Sequence, residues 1–170
     1  MNVQEAIRSR YSCRAYQDKA IEQDKLETIF EAARLAPSAK NLQDWRFVVV
    51  KDKTKKKQLA EAAGGQNFID QAGAVIVACS NTDYILSCGQ PAGPIDVAIA
   101  LEHIALQAAE LGLATCWVGS FNAEKVKALL GIPDGVTVVE LMAIGYPADK
   151  TKEPKREPIE KILCYDKWQF

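Results

Sequence analysis

Residues 73–80, Gly-Ala-Val-Ile-Val-Ala-Cys-Ser, form a continuous apolar run of strand length. A strand with one face in water would alternate apolar and polar side chains, so this run belongs to a strand covered on both faces. That demand puts a sheet in the middle of the molecule with helices above and below it. Further strands are predicted over residues 45–51, 115–118, 136–144 and 159–165. Helical spacing predicts helices near residues 3–8, 21–35, 53–63, 94–111 and 123–130, the second carrying Leu26, Ile29, Phe30 and Ala33 on one stripe. Pro37 and the pair Gly64-Gly65 mark where two of these helices stop. The expected fold class is α+β: a three-layer α-β-α sandwich with a mixed central sheet. The helix over 94–111 is apolar nearly all round, which suits a core or a subunit interface.

A length of 170 residues, 48% hydrophobic and 25% charged, predicts one globular domain over residues 1–170. Lys and Arg number 21 against 22 for Asp and Glu, a net charge of -1. That balance excludes a dedicated nucleic-acid or membrane-surface binder, which needs a basic excess. No apolar run approaches the ~18 to 20 residues of a membrane span. The first residues carry charge and lack the apolar core of a signal peptide. The five cysteines are odd in number and never spaced C-x-x-C, which predicts neither a disulfide framework nor a metal site. A reduced, cytoplasmic protein is expected.

Several mechanisms are excluded by inspection. The chain has no G-x-G-x-x-G and no G-x-x-x-x-G-K-[ST] motif, and its one histidine, His103, is expected to be structural. Two segments stand out. Arg8-Ser9-Arg10-Tyr11-Ser12-Cys13-Arg14 gathers guanidinium and hydroxyl groups suited to phosphate oxygens, or else forms a solvated basic turn. In an extended segment Arg10, Ser12 and Arg14 face one way and Cys13 the other, toward the core. Residues 36–45, Ala-Pro-Ser-Ala-Lys-Asn-Leu-Gln-Asp-Trp, make a loop able to present backbone groups and amides to a planar heterocycle, or a plain connector. The lysine-rich stretch over 51–57 reads as a solvated helix start.

Four patterns in order resemble the FMN-dependent nitroreductase family. They are R-x-S-x-R at Arg10, Ser12 and Arg14; A-P-S-x-x-N-x-Q-x-W from Ala36 to Trp45; G-L-x-T-C-W-x-G from Gly112 to Gly119; and G-Y-P at 145–147 followed by Lys155, Arg156 and Pro158. The resemblance covers almost the whole chain. It implies a homodimer with FMN in clefts at the subunit interface. Arg10, Ser12 and Arg156, with Tyr11 and Lys155 beside them, would hold the phosphate. Arg14 would lie at the pyrimidine edge. Pro37, Ser38, Ala39 and Asn41 would reach the flavin of the other subunit. Trp117, Val118 and Gly119 would pack on the ring, and Gln66 and Asn67 would meet its polar edge. The arm over 147–170, ending Trp168-Gln169-Phe170, would dock on the partner.

The resemblance also implies the activity: hydride from NADH or NADPH passes through flavin N5 to a small oxidised acceptor (nitroaromatic, quinone or flavin) in ping-pong alternation. No side chain is then required as nucleophile or general base. The alternatives are a non-catalytic FMN-storage module or a relative with a different flavin reaction. Asp44 stands where the family usually has proline, and Ala39 replaces a frequent serine. Larger members roof the site with a helical insertion. Here residues 81–94 are short, which implies a more open pocket.

Overall fold

A computed structural model describes residues 1–149 and 155–170. The helices are α1 (Val3–Ser9), α2 (Gln23–Arg34), α3 (Lys53–Ala62), α4 (Asn67–Gln71), α5 (Ala92–Glu110) and α6 (Ala123–Leu130). The strands are β1 (Trp45–Val50), β2 (Ala74–Ser80), β3 (Ala114–Val118) and β4 (Thr137–Gly145), in the order β1-β2-β4-β3.

Every residue of β2 is buried. Its alternate side chains divide between two cores: Ala74, Ile76 and Ala78 pack with α2 and α5, while Val75, Val77 and Cys79 pack with α3, α4 and α6. Strand β4 divides likewise, Met142 and Ile144 to one side and Leu141 and Ala143 to the other. Covering both faces is why these strands show no polar alternation. Each buried Val or Ile contributes about 1.5–3 kcal/mol of transfer free energy. The three-layer α+β architecture is therefore the one expected.

The details differ at five places. All three strand pairings are antiparallel, and the parallel component of the sheet is one bridge, Ser12 to Thr115, outside the named strands. The expected strand over 159–165 is instead a short 3-10 turn, Ile159–Lys161, with Ile159 and Ile162 exposed. Among the described residues this segment pairs with no strand, and its apolar side chains reach no core. Helix α4, five residues long, is too brief to leave a periodic signal. Helix α5 begins at Ala92, so Pro94 lies in its first turn, where a missing N–H costs nothing. Lys56 is buried rather than solvated: its ammonium donates to the Ala72 carbonyl, tying α3 to the residue that closes α4, and burial pushes its pKa down. Of the arm over 147–170, residues 150–154 lie outside the described residues.

The register places the start of β1, the end of β2, the start of β4 and the end of β3 at one end of the sheet. Helix α5 starts at that end too, because the 81–91 loop leaves β2 there. Among the described residues no helix is long and apolar enough to cross a membrane.

Candidate functional site

The Arg10–Arg14 segment is held flat along the edge strand β3. Asn2 and Glu5 cap α1 reciprocally, each side chain accepting the other's backbone N–H at 2.9 Å. Arg10 closes the helix with an extended backbone, and the Cys13 N–H then donates to the Thr115 carbonyl at 2.9 Å. Cys13 turns into the core while Ser12 and Arg14 face solvent, as alternation requires, and the buried Tyr16 then breaks that period. The Tyr16 hydroxyl donates to the carbonyls of Cys13 (3.1 Å) and Ala143 (3.3 Å), and burial drives its pKa far upward. These contacts make a rigid floor beneath Ser12 and Arg14.

Arg10 is half-buried, and its Nε lies 3.3 Å from Oε1 of Glu102 on α5. Burial raises the Glu102 pKa, and Arg10 draws it back down. Arg10, Tyr11, Ala105, Gly112, Thr115 and Pro147 line a cleft between this segment, α5 and β3. Thr115 Oγ1 is buried with no hydrogen-bond partner among the described residues. The chain leaves β4 along the same segment: Gln17 N–H donates to Tyr146 O and Ala148 N–H to Ala15 O, both at 2.9 Å, and the Tyr11 hydroxyl reaches Asp149 O at 3.3 Å. The N-terminal segment and the chain leaving β4 thus meet beside the cleft. Lys155 and Arg156 resume beyond it as exposed residues.

Trp117, Val118 and Gly119 end β3 at the loop-bearing end of the sheet, Trp117 half-buried and Gly119 exposed. A Cβ on Gly119 would sit 3.4 Å from the Glu140 carboxylate. Burial pushes the Glu140 pKa up, and a backbone hydrogen bond from Val118 counters it. Asn122 N–H donates to Ala62 O at 2.9 Å, which brings the end of α3 beside the chain leaving Gly119. Gln66 and Asn67 follow at the start of α4; the Gln66 amide is turned back onto Ala63 O at 2.9 Å and Asn67 is exposed.

The loop over 36–44 precedes β1, on the opposite edge of the sheet. Three strand spacings, about 14 Å, separate β1 from β3. The loop backbone is strained: Lys40, Asn41 and Gln43 have φ of 50°, 56° and 55°. Ser38 Oγ accepts the Gln43 N–H at 3.0 Å, and the Lys40 ammonium lies 4.4 Å from the Tyr84 ring centre. Beneath the loop, both carboxylate oxygens of Asp96 lie 3.1 Å from the Ala39 N–H. Pro37, Lys40 and Asn41 are exposed and Ser38 and Ala39 half-buried.

Asp96, Glu102, Thr115 and Glu140 are absent from the sequence-derived site. The first two had a signal: acidic residues inside the apolar α5 stretch. His103 is structural as expected, its Nδ1 3.1 Å from Ala32 O.

The model of the nitroreductase family matches residues 7–85 and 63–146. An FMN reductase [NAD(P)H] of Bacillus subtilis is 32% identical over 89% of this chain and 68% of its own. A nitroreductase family protein of Clostridium difficile 630 superposes with a TM-score of 0.89 at 33% identity, covering 99% of this chain and 100% of that one. The NADPH:FMN oxidoreductase of Vibrio harveyi, solved with NAD+, gives 0.92 at 25% identity over 100% of this chain and 79% of that one. With the motifs in place on the expected elements, and likeness running the length of the fold, this chain belongs to the nitroreductase family.

Proposed function

We propose that the protein is an FMN-dependent NAD(P)H oxidoreductase that works as a homodimer. The observation that carries this reading is the Arg10–Arg14 segment, with Ser12 and Arg14 exposed over the buried Cys13 and Arg10 half-buried beside a cleft in which Thr115 Oγ1 has no hydrogen-bond partner among the described residues. Such a face fits a phosphate ester: guanidinium forks and a hydroxyl, fixed without the ordering cost of a free loop. Relatives named as FMN reductases and NADPH-dependent oxidoreductases support the same cofactor and donor. The chemistry supplied by bound FMN is two-electron transfer between NADH or NADPH and a small oxidised acceptor, in ping-pong alternation.

The residues divide the task of holding the flavin. Arg10, Ser12 and Arg156 bind the phosphate, with Lys155 and Tyr11 alongside. Glu102 fixes Arg10 through Nε. Arg14 brings a positive charge to the pyrimidine edge, where it favours the reduced, anionic form. Trp117 and Val118 support the ring, and the exposed Gly119 leaves its backbone N–H approachable from outside. Gln66 and Asn67 face the polar edge. Pro37, Ser38, Ala39 and Asn41 of one copy complete the site of the other; they precede β1, at the sheet edge opposite their own β3. Of the C-terminal arm, residues 159–170 dock on the second copy, while 147–149 stay against their own N-terminal segment.

Purified protein is expected to be yellow, and NADH or NADPH under anaerobic conditions should bleach it. A colourless preparation that takes up no added FMN overturns the reading. Flavin that stays oxidised in excess of either nucleotide assigns the protein to storage instead.

A further inference from the structure

Asp96 is the sole buried carboxylate among the described residues, 4% exposed within the apolar first half of α5. Taking a carboxylate out of water is unfavourable unless strong hydrogen bonds replace the lost hydration. The bonds recorded here go to a single group, the Ala39 N–H, with both oxygens at 3.1 Å and 57 residues of chain between the partners. Ala39 is also where the loop changes character. Ser38 before it is fully extended (φ −142°, ψ 160°), and Lys40, Asn41 and Gln43 after it are left-handed without being glycine.

That conformation is unfavourable for each of the three residues and persists only where the surroundings over-determine it. Ser38 to Gln43 is internal to the loop, and Lys40 to Tyr84 joins it to a second loop. The far end of the loop is held by the sheet, Arg46 on β1 donating to the Gln43 carbonyl at 3.1 Å and the Asn81 N–H to the Asp44 carbonyl at 3.0 Å. At Ala39, where the left-handed run begins, the tie is to a packed helix through Asp96, whose neighbours Val97 and Ala100 are fully buried.

We infer that Asp96 is a positioning residue for the flavin. It fixes the Ala39 amide from below, and so holds Ser38 and Asn41 in the arrangement they present to the cofactor of the other copy. This inference depends on the FMN reading given above.

The test is FMN retention by the holoprotein, measured as a dissociation constant, together with the midpoint potential of the bound flavin. Asp96→Leu removes the acceptor and puts a larger apolar side chain in its place, and it is expected to weaken retention about ten-fold or more and to move the potential. Asp96→Asn keeps a carbonyl oxygen in reach of Ala39 and should recover most of the loss. Should Asp96→Leu fail to fold, Ala39→Pro makes the same cut from the other side. It deletes the donor on a surface loop, and Ser38 already has the extended backbone that precedes proline. Where both variants fold, the double variant should be no worse than the weaker single one, since they break one contact. A parent that holds FMN beside Asp96→Leu or Ala39→Pro variants of unchanged affinity and potential overturns the inference alone. A parent that takes up no FMN overturns it together with the functional reading.

Discussion

Arg14 is exposed between a buried Cys13 and a half-buried Ala15, and its guanidinium is near enough to Cys116 to offset part of the rise that burial gives that thiol. Its charge is therefore available to a ligand lying over β3. Replacing it with alanine should lower the midpoint potential of bound FMN while leaving the phosphate contacts in place. Potentiometry that finds no shift would remove Arg14 from the pyrimidine edge. Glu22 offers a second test at this scale. The Tyr146 hydroxyl donates to Glu22 Oε2 at 2.6 Å and holds the carboxyl down at about 2, against an ordinary value of 4.5. A depressed pKa means the folded state favours the ionised form, so its stabilisation is complete above 4.5 and is lost as pH falls toward 2. Tyr146→Phe should lower the melting temperature at neutral pH, and the gap from the parent should shrink through that acid window. A gap of constant size would exclude the carboxylate as its source.

Helix α5 and strand β2 illustrate how an element's position depends on one missing side chain. A Cβ at Gly93 would lie 2.1 Å from Ser80 Oγ and 2.8 Å from Ser80 Cβ, so the helix start sits directly on the end of the strand. Gly93→Ala is expected to destabilise the fold by about 1–3 kcal/mol. It should also displace the turn of α5 that carries Asp96, so thermal melts and FMN retention should fall together. A variant as stable as the parent would show that the Ser80 side chain rotates away at no cost. The elements themselves were largely legible in the sequence, because their signals are local: the apolar stripe of α2, the unbroken run of β2, and Gly131 ending α6 at φ 67°. The turn over 159–161 was misread as a strand for a corresponding reason. Its apolar residues have the composition of a strand, but no sheet edge within the chain receives them.

For the whole molecule, the notable surface is the C-terminal arm. Ile159, Ile162, Tyr165, Trp168 and Phe170 are all exposed, and the Trp168 and Phe170 rings pack edge to face 4.8 Å apart. Aromatic side chains left in water at this density mark an interaction surface. Sedimentation is expected to find a dimer, and removing residues 159–170 should weaken its association at least about ten-fold, since a buried Trp anchor is commonly worth ≥ 2 kcal/mol. An unchanged association constant would mean that the arm does not dock on the partner.

Local patterns along the chain were enough for the layered α+β class, the positions of most helices and strands, the inward turn of Cys13 and the motifs that mark the family. Each of these follows from spacing between near neighbours in the chain. Folding in three dimensions is what pairs these strands antiparallel, sets the 36–44 loop before β1 at the sheet edge opposite β3, and brings Asp96 and Glu102 against the residues the motifs single out. Those facts depend on which distant segments meet, through contacts made 57 and 92 residues apart, and no local period in a chain records them.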